Sequence, residues 1–295
     1  MTHIKKTPYD YCLDFFVYGL LILLTIAFLY PLYYVIMASV SEPVQLMAHR
    51  GVLVRPQGFT IEGYRAVLNN PNIIIGYRNT LIIVTVGTTL SMFFTCLSAY
   101  VLSRRNLMLM KPLTLLIVFT MYFSGGMIPS FLLVRHLGLL NTRWALMIPN
   151  LIATWNLIVM RTAFRQMPDS LEESAKIDGA NDLIILFRII LPLSKAVLAV
   201  VTLFYAVARW NAWFNALIFI QDRNLFPLQL ILREILLINA AMGGIVETPM
   251  EDGVFMLDEI IRYASIIVST LPILCIYPFA QKHFTKGVML GSIKE

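Results

Sequence analysis

The side chains best placed for chemistry lie in one polar stretch, residues 168–195, between long apolar runs. The stretch carries eight charged residues, and we interpret it as a surface on which another protein docks. The chain lacks the Walker A sequence G-x-x-x-x-G-K-[S/T], so we expect no ATP hydrolysis by this chain itself. The four histidines are scattered and the three cysteines lie far apart, without metal-ligand spacing, so we predict no metal site.

The first half of the stretch has the pattern of a short helix. Ser170 and Glu173 have the spacing of a capping box, which makes Ser170 the predicted N-cap. Ser174 and Ala175 are small, so another surface can approach this helix closely. Gly179 can end the helix in a left-handed conformation.

The second half has the pattern of another helix. Asn181 or Asp182 can cap it, and it runs through Ile190. Leu191-Pro192 should then end it, because a proline disfavours helical conformation in the residue before it. An ordinary pair of well-capped helices without a partner also fits this local pattern.

The elements that position the polar stretch are membrane helices. Apolar residues make up 58% of the chain and charged residues only 14%, whereas a soluble protein carries about a quarter charged residues. The apolar runs do not alternate as barrel strands do, so we predict an all-α polytopic membrane protein. The net charge of +6 fits membrane orientation and anionic lipid better than nucleic acid.

Six apolar runs are candidates for spans, for which a helix needs roughly 20 residues. Gly125-Gly126-x-x-Pro129 predicts a broken helix end in the third run, which is tolerated at membrane depth only when buried in protein or facing water. Pro149 predicts a break in the short fourth run. We predict a single transmembrane domain over residues 1–295, with spans at about 15–37, 79–103, 112–134, 144–160, 196–221 and 263–281 and a polar loop at 161–195.

An even number of spans puts both termini on one side of the membrane. The termini and the loops at 104–111 and 161–195 hold thirteen Lys and Arg residues, against nine in the opposite connections. Short positively charged loops favour the cytoplasmic side. We therefore predict that both termini and the 161–195 loop are cytoplasmic.

The spacing in the polar stretch resembles that of one family. Permease subunits of bacterial binding-protein-dependent ABC importers carry a cytoplasmic loop that reads E-A-A, three residues, G, nine residues, I-x-L-P. This chain has Glu173-Ser174-Ala175, then Gly179, then Ile189-Ile190-Leu191-Pro192 at that spacing. Ser replaces the first Ala, which leaves the helix surface similar. Asp178-Gly179-Ala180 matches the D-G-A of sugar-transporting members.

The resemblance extends over nearly the whole chain. The chain is similar to the six-span, MalG-like permeases of the carbohydrate group, and most of all to the LplC and YtcP type. Members of that branch include permeases of importers for alginate and other uronate oligosaccharides. The stretches that carry this similarity are residues 123–129, 137–144, 204–211, 226–234 and the tail at 287–294.

The resemblance implies a function in a multi-subunit complex in the bacterial plasma (inner) membrane. This chain would translocate an oligosaccharide by alternating access, paired with a second, homologous permease. Two ATPase subunits would bind ATP and Mg below it, so this chain would bind no cofactor itself. A sugar-binding protein would dock above, on the connections at 41–78 and 222–262. The coupling helix that fits a cleft on the ATPase would consist of Glu172, Glu173, Ser174, Ala175, Asp178 and Gly179.

Polar groups in the fifth predicted span are candidates for the substrate path, because such groups are costly in lipid. Aromatic rings stack on sugars, amides bind hydroxyls, and an arginine could pair with a carboxylate sugar. Asn211 and Asn215 would share a helical face. Bonds to neighbouring helices, or to an acid of the partner permease, explain the same residues equally well. The candidates are Arg209, Trp210, Asn211, Trp213 and Asn215.

Two other function classes compete with an importer permease. An ion-coupled secondary sugar carrier often uses an acid buried in a span, but no Asp or Glu lies within the predicted spans. A membrane-bound glycoside hydrolase would need paired acids at one site, and no sequence pattern brings acids together here. The sequence therefore favours the ABC importer permease, with the substrate acidic or neutral.

Overall fold

Residues 8–104, 109–245, 259–275 and 278 are described in the computed structural model, and helices are the only regular secondary structure in these ranges. The predicted all-α class is confirmed. Short 3-10 turns lie at Arg143–Leu146 and Arg223–Leu225. The helices are α1 (Pro8–Ser39), α2 (Pro43–Ala48), α3 (Glu62–Asn69), α4 (Pro71–Ser103), α5 (Met110–Tyr122), α6 (Met127–His136), α7 (Thr154–Arg165), α8 (Asp169–Ile177), α9 (Asp182–Ile185), α10 (Leu191–Leu193), α11 (Lys195–Trp210), α12 (Phe214–Phe219), α13 (Leu228–Ile245) and α14 (259–275).

The chain divides into two compact units. The first contains Met1–Asn70 and Ile235–Thr270, and the second contains Pro71–Glu234 and Leu271–Glu295. The second unit therefore holds the whole polar stretch and every candidate for the substrate path.

Two described helices, α1 and α4, are by themselves long and apolar enough to cross a membrane. Two further pairs qualify if each bent pair counts as one span: α5 with α6, bent by 112°, and the 182–193 helix with α11, bent by 87°. The predicted spans 15–37 and 79–103 lie within α1 and α4. The last predicted span, 263–281, begins inside α14, and its end lies outside the described residues except for residue 278.

The third predicted run is broken where its Gly-Gly pair predicts a break. Residues 123–126 are not helical, and Gly126 has φ +85°, a left-handed conformation that favours glycine. α5 and α6 therefore meet at a sharp angle.

The fourth and fifth predicted spans are both interrupted. The break predicted at Pro149 in the fourth span is confirmed, whereas the continuous helix expected for the fifth span is wrong. Residues 147–153 are irregular, and α7 begins only at Thr154. Pro149 lies in this segment and has no backbone N–H to give to a helix. The fifth run is broken at 211–213, between α11 and α12.

The core of the second unit forms where α4 packs against α7 and α11. Gly87, Ser91, Thr95 and Ala99 recur every four residues along α4 and are all buried. Residues at this spacing share one helix face. Small side chains let neighbouring helices approach closely, as in membrane helix packing. This stripe therefore fixes where α7 and α11 can lie.

The N-terminal end of α4 is held by one buried amide. Asn79 Nδ2 donates to the carbonyls of Asn224 at 2.8 Å and Phe226 at 3.0 Å. Its Oδ1 accepts from Arg143 Nη2 at 2.9 Å. A single side chain thus joins α4, the 3-10 turn at Arg143–Leu146 and the loop before α13.

Candidate functional site

The first helix of the polar stretch, α8, begins at Asp169. Pro168 is its N-cap residue, with φ −59°, and no side chain caps the helix. The capping box predicted from Ser170 and Glu173 is therefore wrong, and Ser170 lies inside the first turn. The physical reason is the proline ring, which fixes φ near −65° and lets the helix start one residue later, before Ser170 can act as a cap.

The end of α8 matches the prediction. Gly179 has φ +79°, and its N–H donates to the Lys176 carbonyl at 3.0 Å. The next N–H, of Ala180, reaches back to the Ala175 carbonyl at 2.9 Å. These two bonds form a Schellman motif, which satisfies the last carbonyls of the helix. A Cβ at residue 179 would have no heavy atom within 4 Å, so backbone conformation, not space, favours glycine here.

The second arm begins at a side-chain cap, as predicted. Asn181 Oδ1 accepts from the Ile184 N–H at 2.8 Å. α9 then continues through a π-helical turn, Leu186–Ile190, into α10. The prediction that Leu191-Pro192 ends the helix is wrong, because the bend of 87° falls at Ser194. Proline cannot donate to the carbonyl four residues earlier, and the wider π turn accommodates that missing bond.

One face of α8 is tied to the rest of the chain. Glu172 forms ion pairs with Arg104, at the end of α4, and with Lys176, whose Nζ lies 2.9 Å away. The Arg104 guanidinium also stacks 4.3 Å from the Tyr100 ring centroid. Ala175 is buried in the core of this unit. Of the six predicted coupling residues, Glu172 and Ala175 therefore hold the helix in place within this chain.

The opposite face of α8 is open. Glu173, Ser174, Asp178 and Gly179 are all exposed. Ile177 projects beside them with 87% of its surface exposed. Ile177 is not among the predicted coupling residues, although an apolar residue in a polar helix is a signal that the sequence shows. This face combines an apolar projection with carboxylates and a glycine turn, which suits docking into a partner cleft.

A cavity of about 270 Å³ opens beside α8. Glu173 and Arg165 both line it, together with Arg104 and Phe164.

Arg161, one turn before Arg165, donates from Nε to the Leu102 carbonyl at 2.8 Å and so fastens α7 to the end of α4. Burial lowers the pKa of Arg161, and the charge of Arg165 lowers it further.

The ion pair between Arg104 and Glu172 should hold α8 against α4. Glu172→Gln should cost about 1 kcal/mol, the upper end for such pairs, because both side chains are largely buried. Amide hydrogen exchange in α8 should then be about fivefold faster. Glu234→Gln is a matched control, because it removes an ion pair to Arg223 elsewhere. Equal acceleration in α8 from both variants would contradict the assignment.

The candidate Arg209 is 8% exposed and lies inside the helix packing. Its Nη2 donates to Ser91 Oγ at 2.8 Å and approaches the Met147 carbonyl at 3.5 Å. Ser91 in turn donates to the Leu151 carbonyl. A Cβ at Gly87 would collide with the guanidinium, so glycine makes room for it. Arg209 has no acidic partner among the described residues, and its Nε has no hydrogen-bond partner there.

Tyr205, one turn earlier on α11, binds the same irregular segment. Its hydroxyl accepts from the Ala153 N–H at 2.9 Å and lies 2.8 Å from Thr95 Oγ1. We call Ser91, Thr95, Tyr205 and Arg209 the polar clamp. It supplies hydrogen bonds to backbone groups of residues 147–153 that no helix satisfies.

The remaining path candidates do not lie on one face. Trp210 is buried, and Asn211 caps α11 with its Nδ2 3.1 Å from the Val207 carbonyl. Trp213 lies in the break, its ring 4.6 Å from the Arg233 guanidinium carbon. Asn215 belongs to α12 and is partly buried. Because α11 ends before Asn211, the shared helical face expected for Asn211 and Asn215 does not form.

Removing one hydroxyl should test the polar clamp. Tyr205→Phe leaves the Ala153 N–H without its acceptor, which should cost about 1–3 kcal/mol of stability. Unfolding of the purified protein in denaturant, followed by circular dichroism, measures this cost. Tyr122→Phe, at a side chain 79% exposed, is the control with the same chemical change. If the two variants unfolded at the same denaturant concentration, the polar clamp would contribute nothing to stability and the prediction would be wrong.

The chain belongs to the family described as binding-protein-dependent transport system inner membrane component, which its residues 73–290 match. A relative in Bacillus subtilis (strain 168), the polygalacturonan/rhamnogalacturonan transport system permease protein YtcP, is 42% identical over 281 residues. The match covers 95% of this chain and 98% of YtcP. Protein LplC of the same organism is 42% identical over 269 residues, covering 90% of this chain and 88% of LplC.

A solved structure shows the same fold. It is a crystal structure of a bacterial ABC transporter involved in the import of the acidic polysaccharide alginate. The superposition has a TM-score of 0.85 at 31% sequence identity, and covers 95% of this chain and 99% of the other. The predicted relationship to ABC importer permeases of the LplC and YtcP type is thereby confirmed.

Proposed function

We propose that this chain is the membrane permease of an ATP-driven importer for acidic oligosaccharides. The observation that carries the proposal is the 42% identity to YtcP over 95% of this chain. The name of that relative refers to polygalacturonan and rhamnogalacturonan, and the structurally similar transporter imports alginate. These polysaccharides share uronic acid residues, so the common chemistry is a sugar ring with a carboxylate.

In the proposed complex, this chain lies in membrane lipid and assembles with four other subunits. A second, homologous permease pairs with it, two ATPases bind on the cytoplasmic side, and a sugar-binding protein delivers substrate from outside. The chain contributes six spans with both termini in the cytoplasm, and it has no ATPase site of its own. The excess of Lys and Arg on the 161–195 side of the membrane supports this orientation.

Coupling, on this proposal, passes through the open face of α8. Ile177 enters an apolar part of the ATPase cleft, and Glu173 meets a basic or polar group there. ATP binding closes the two ATPases and moves both coupling helices, so that the path opens outward, and hydrolysis resets it. α7 leads into α8, and the arm formed by α9 and α10 leads from it into α11, so both neighbouring helices receive the movement.

The substrate path is proposed to run past the exposed residues near the break at 211–213. Asn211 and Trp213 are accessible there, whereas Arg209 and Trp210 are buried among helices of this chain. Arg209 and Trp210 would reach sugar only if transport separated these helices. Asn215, which is partly buried, lies at the margin of this region.

Reversing one exposed charge on α8 should uncouple the complex. Glu173→Lys should leave membrane insertion intact but reduce binding-protein-stimulated ATP hydrolysis at least about tenfold, because a charged contact with the ATPase is lost. Ile177→Asp should act similarly by placing a charge in an apolar contact. The measurement is ATPase co-purification and hydrolysis rate, with Asp10→Lys in the exposed first turn of α1 as the control. A fully active complex carrying either α8 substitution would refute the docking face.

Transport in proteoliposomes tests the function itself. The assembled complex with its binding protein should take up short oligogalacturonates only when ATP is supplied, and should be insensitive to collapse of proton and sodium gradients. Maltooligosaccharides of equal length are the neutral comparison and should stimulate ATP hydrolysis at least about tenfold less. Gradient-driven uptake without ATP would instead support an ion-coupled sugar carrier, and equal stimulation by neutral sugar would refute the acidic substrate.

A further inference from the structure

A segment without regular secondary structure, residues 50–55, lies against the last turns of α1 in the first unit. The Leu53 N–H donates to the Tyr30 hydroxyl at 3.1 Å, and the Tyr33 hydroxyl donates to the Val54 carbonyl at 2.5 Å. Leu53 is fully buried, in a cluster that includes Ala38 and Leu46. Two tyrosines and one buried leucine therefore fix this segment to α1.

The outer side of the segment is apolar and positively charged. Val52 and Val54, on either side of the buried Leu53, are 66% and 69% exposed. Arg50 and Arg55 are exposed next to them, and neither forms an ion pair in the described part of the chain. Two exposed valines between two cations match the chemistry of a partner that has an apolar layer next to negative charge, as an anionic membrane surface has.

The position of the segment along α1 defines its depth. No charged residue occurs from Phe15 to Met37, after Asp14. At about 1.5 Å per residue, Tyr33 lies about 28 Å along the axis from Asp14. That length is close to the roughly 30 Å hydrocarbon thickness of a bilayer. Tyrosines concentrate at the boundary between hydrocarbon and headgroups. Tyr33, and with it Val54, therefore falls at that boundary.

We propose that residues 50–55 form an interfacial anchor that binds anionic phospholipid. Val52 and Val54 enter the edge of the acyl layer, and Arg50 and Arg55 pair with headgroup phosphates. Each cation near an anionic membrane surface contributes about 1 kcal/mol of attraction. The anchor would set how deep α1 sits in the bilayer. The proposal rests on α1 crossing the membrane, as the proposed function requires, but not on which sugar is carried or on which side the segment faces.

Fluorescence quenching in nanodiscs tests the depth. The assembled complex, with its three native cysteines replaced, carries one environment-sensitive label at Val54→Cys. Matched complexes carry the label at Leu21→Cys, in the middle of α1, or at Leu183→Cys, on α9, where the side chain is 59% exposed. With brominated phospholipids, the labels at 54 and 21 should each lose at least about half of their fluorescence, and the label at 183 should keep its fluorescence.

The remaining outcomes are distinct. Quenching at 21 without quenching at 54 overturns the anchor while leaving the span intact. Loss of the quenching at 54 when the sugar-binding protein is added assigns the segment to protein docking instead. Absence of quenching at 21 overturns both the anchor and the membrane crossing of α1, whereas uptake experiments report separately on the proposed function.

A charge variant tests the phospholipid preference. The double variant Arg50→Gln, Arg55→Gln should retain several-fold less phosphatidylglycerol in native mass spectrometry and the same amount of phosphatidylcholine. Arg65→Gln, at an exposed arginine of the same unit, is the control and should leave both unchanged. Unchanged phosphatidylglycerol retention in the double variant, or equal loss in the control, would overturn the proposal.

Discussion

The organisation of the second unit depends on one constraint: the backbone of residues 147–153 is not helical, and it lies against α4 and α11. Its polar groups must find partners, because unsatisfied backbone is costly away from water. Ser91 and Thr95 of α4 and Tyr205 and Arg209 of α11 meet that need. Gly87, in the stripe of small residues along α4, supports the same contacts, because its missing side chain leaves the volume that the Arg209 guanidinium fills.

These contacts join the two ends of the segment from α7 to α11, so that it forms a closed ring of connected elements. α7 follows the clamped segment and leads into α8, while the arm after Gly179 leads through α9 and α10 to α11, which carries Tyr205 and Arg209 back to that segment. Near α8 this ring is fastened by the ion pairs of Glu172 and by Arg161 on the Leu102 carbonyl. On the proposed function, a shift of α8 cannot move α7 alone, because polar contacts tie both arms to α4.

Part of the fold and of the candidate site was predictable from sequence, because some residues act only on nearby backbone. Gly179, Asn181 and the Gly125-Gly126 pair each act through their own backbone or nearest neighbours, and the structure confirms all three. Long-range partners were not predictable: Glu172 meets Arg104, and Arg209 meets Ser91 across 118 positions of sequence. Pro168 replaced Ser170 as the helix start because a fixed φ outweighs a favourable hydroxyl. Pro149 predicts the interruption of the fourth run, but hydropathy alone hid the one at 211–213, since the apolar run continues beyond it.

The bend of 87° at Ser194 sets the direction in which α11 can respond. Because the two helices meet at nearly a right angle, a displacement along the axis of the first is directed across the axis of the second. A short translation of the α9–α10 arm would therefore sweep the far end of α11 through an arc whose size grows with the length of that helix. Sixteen residues of α11 span about 24 Å, so on the proposed function a rotation about the start of this helix would displace its far end the most.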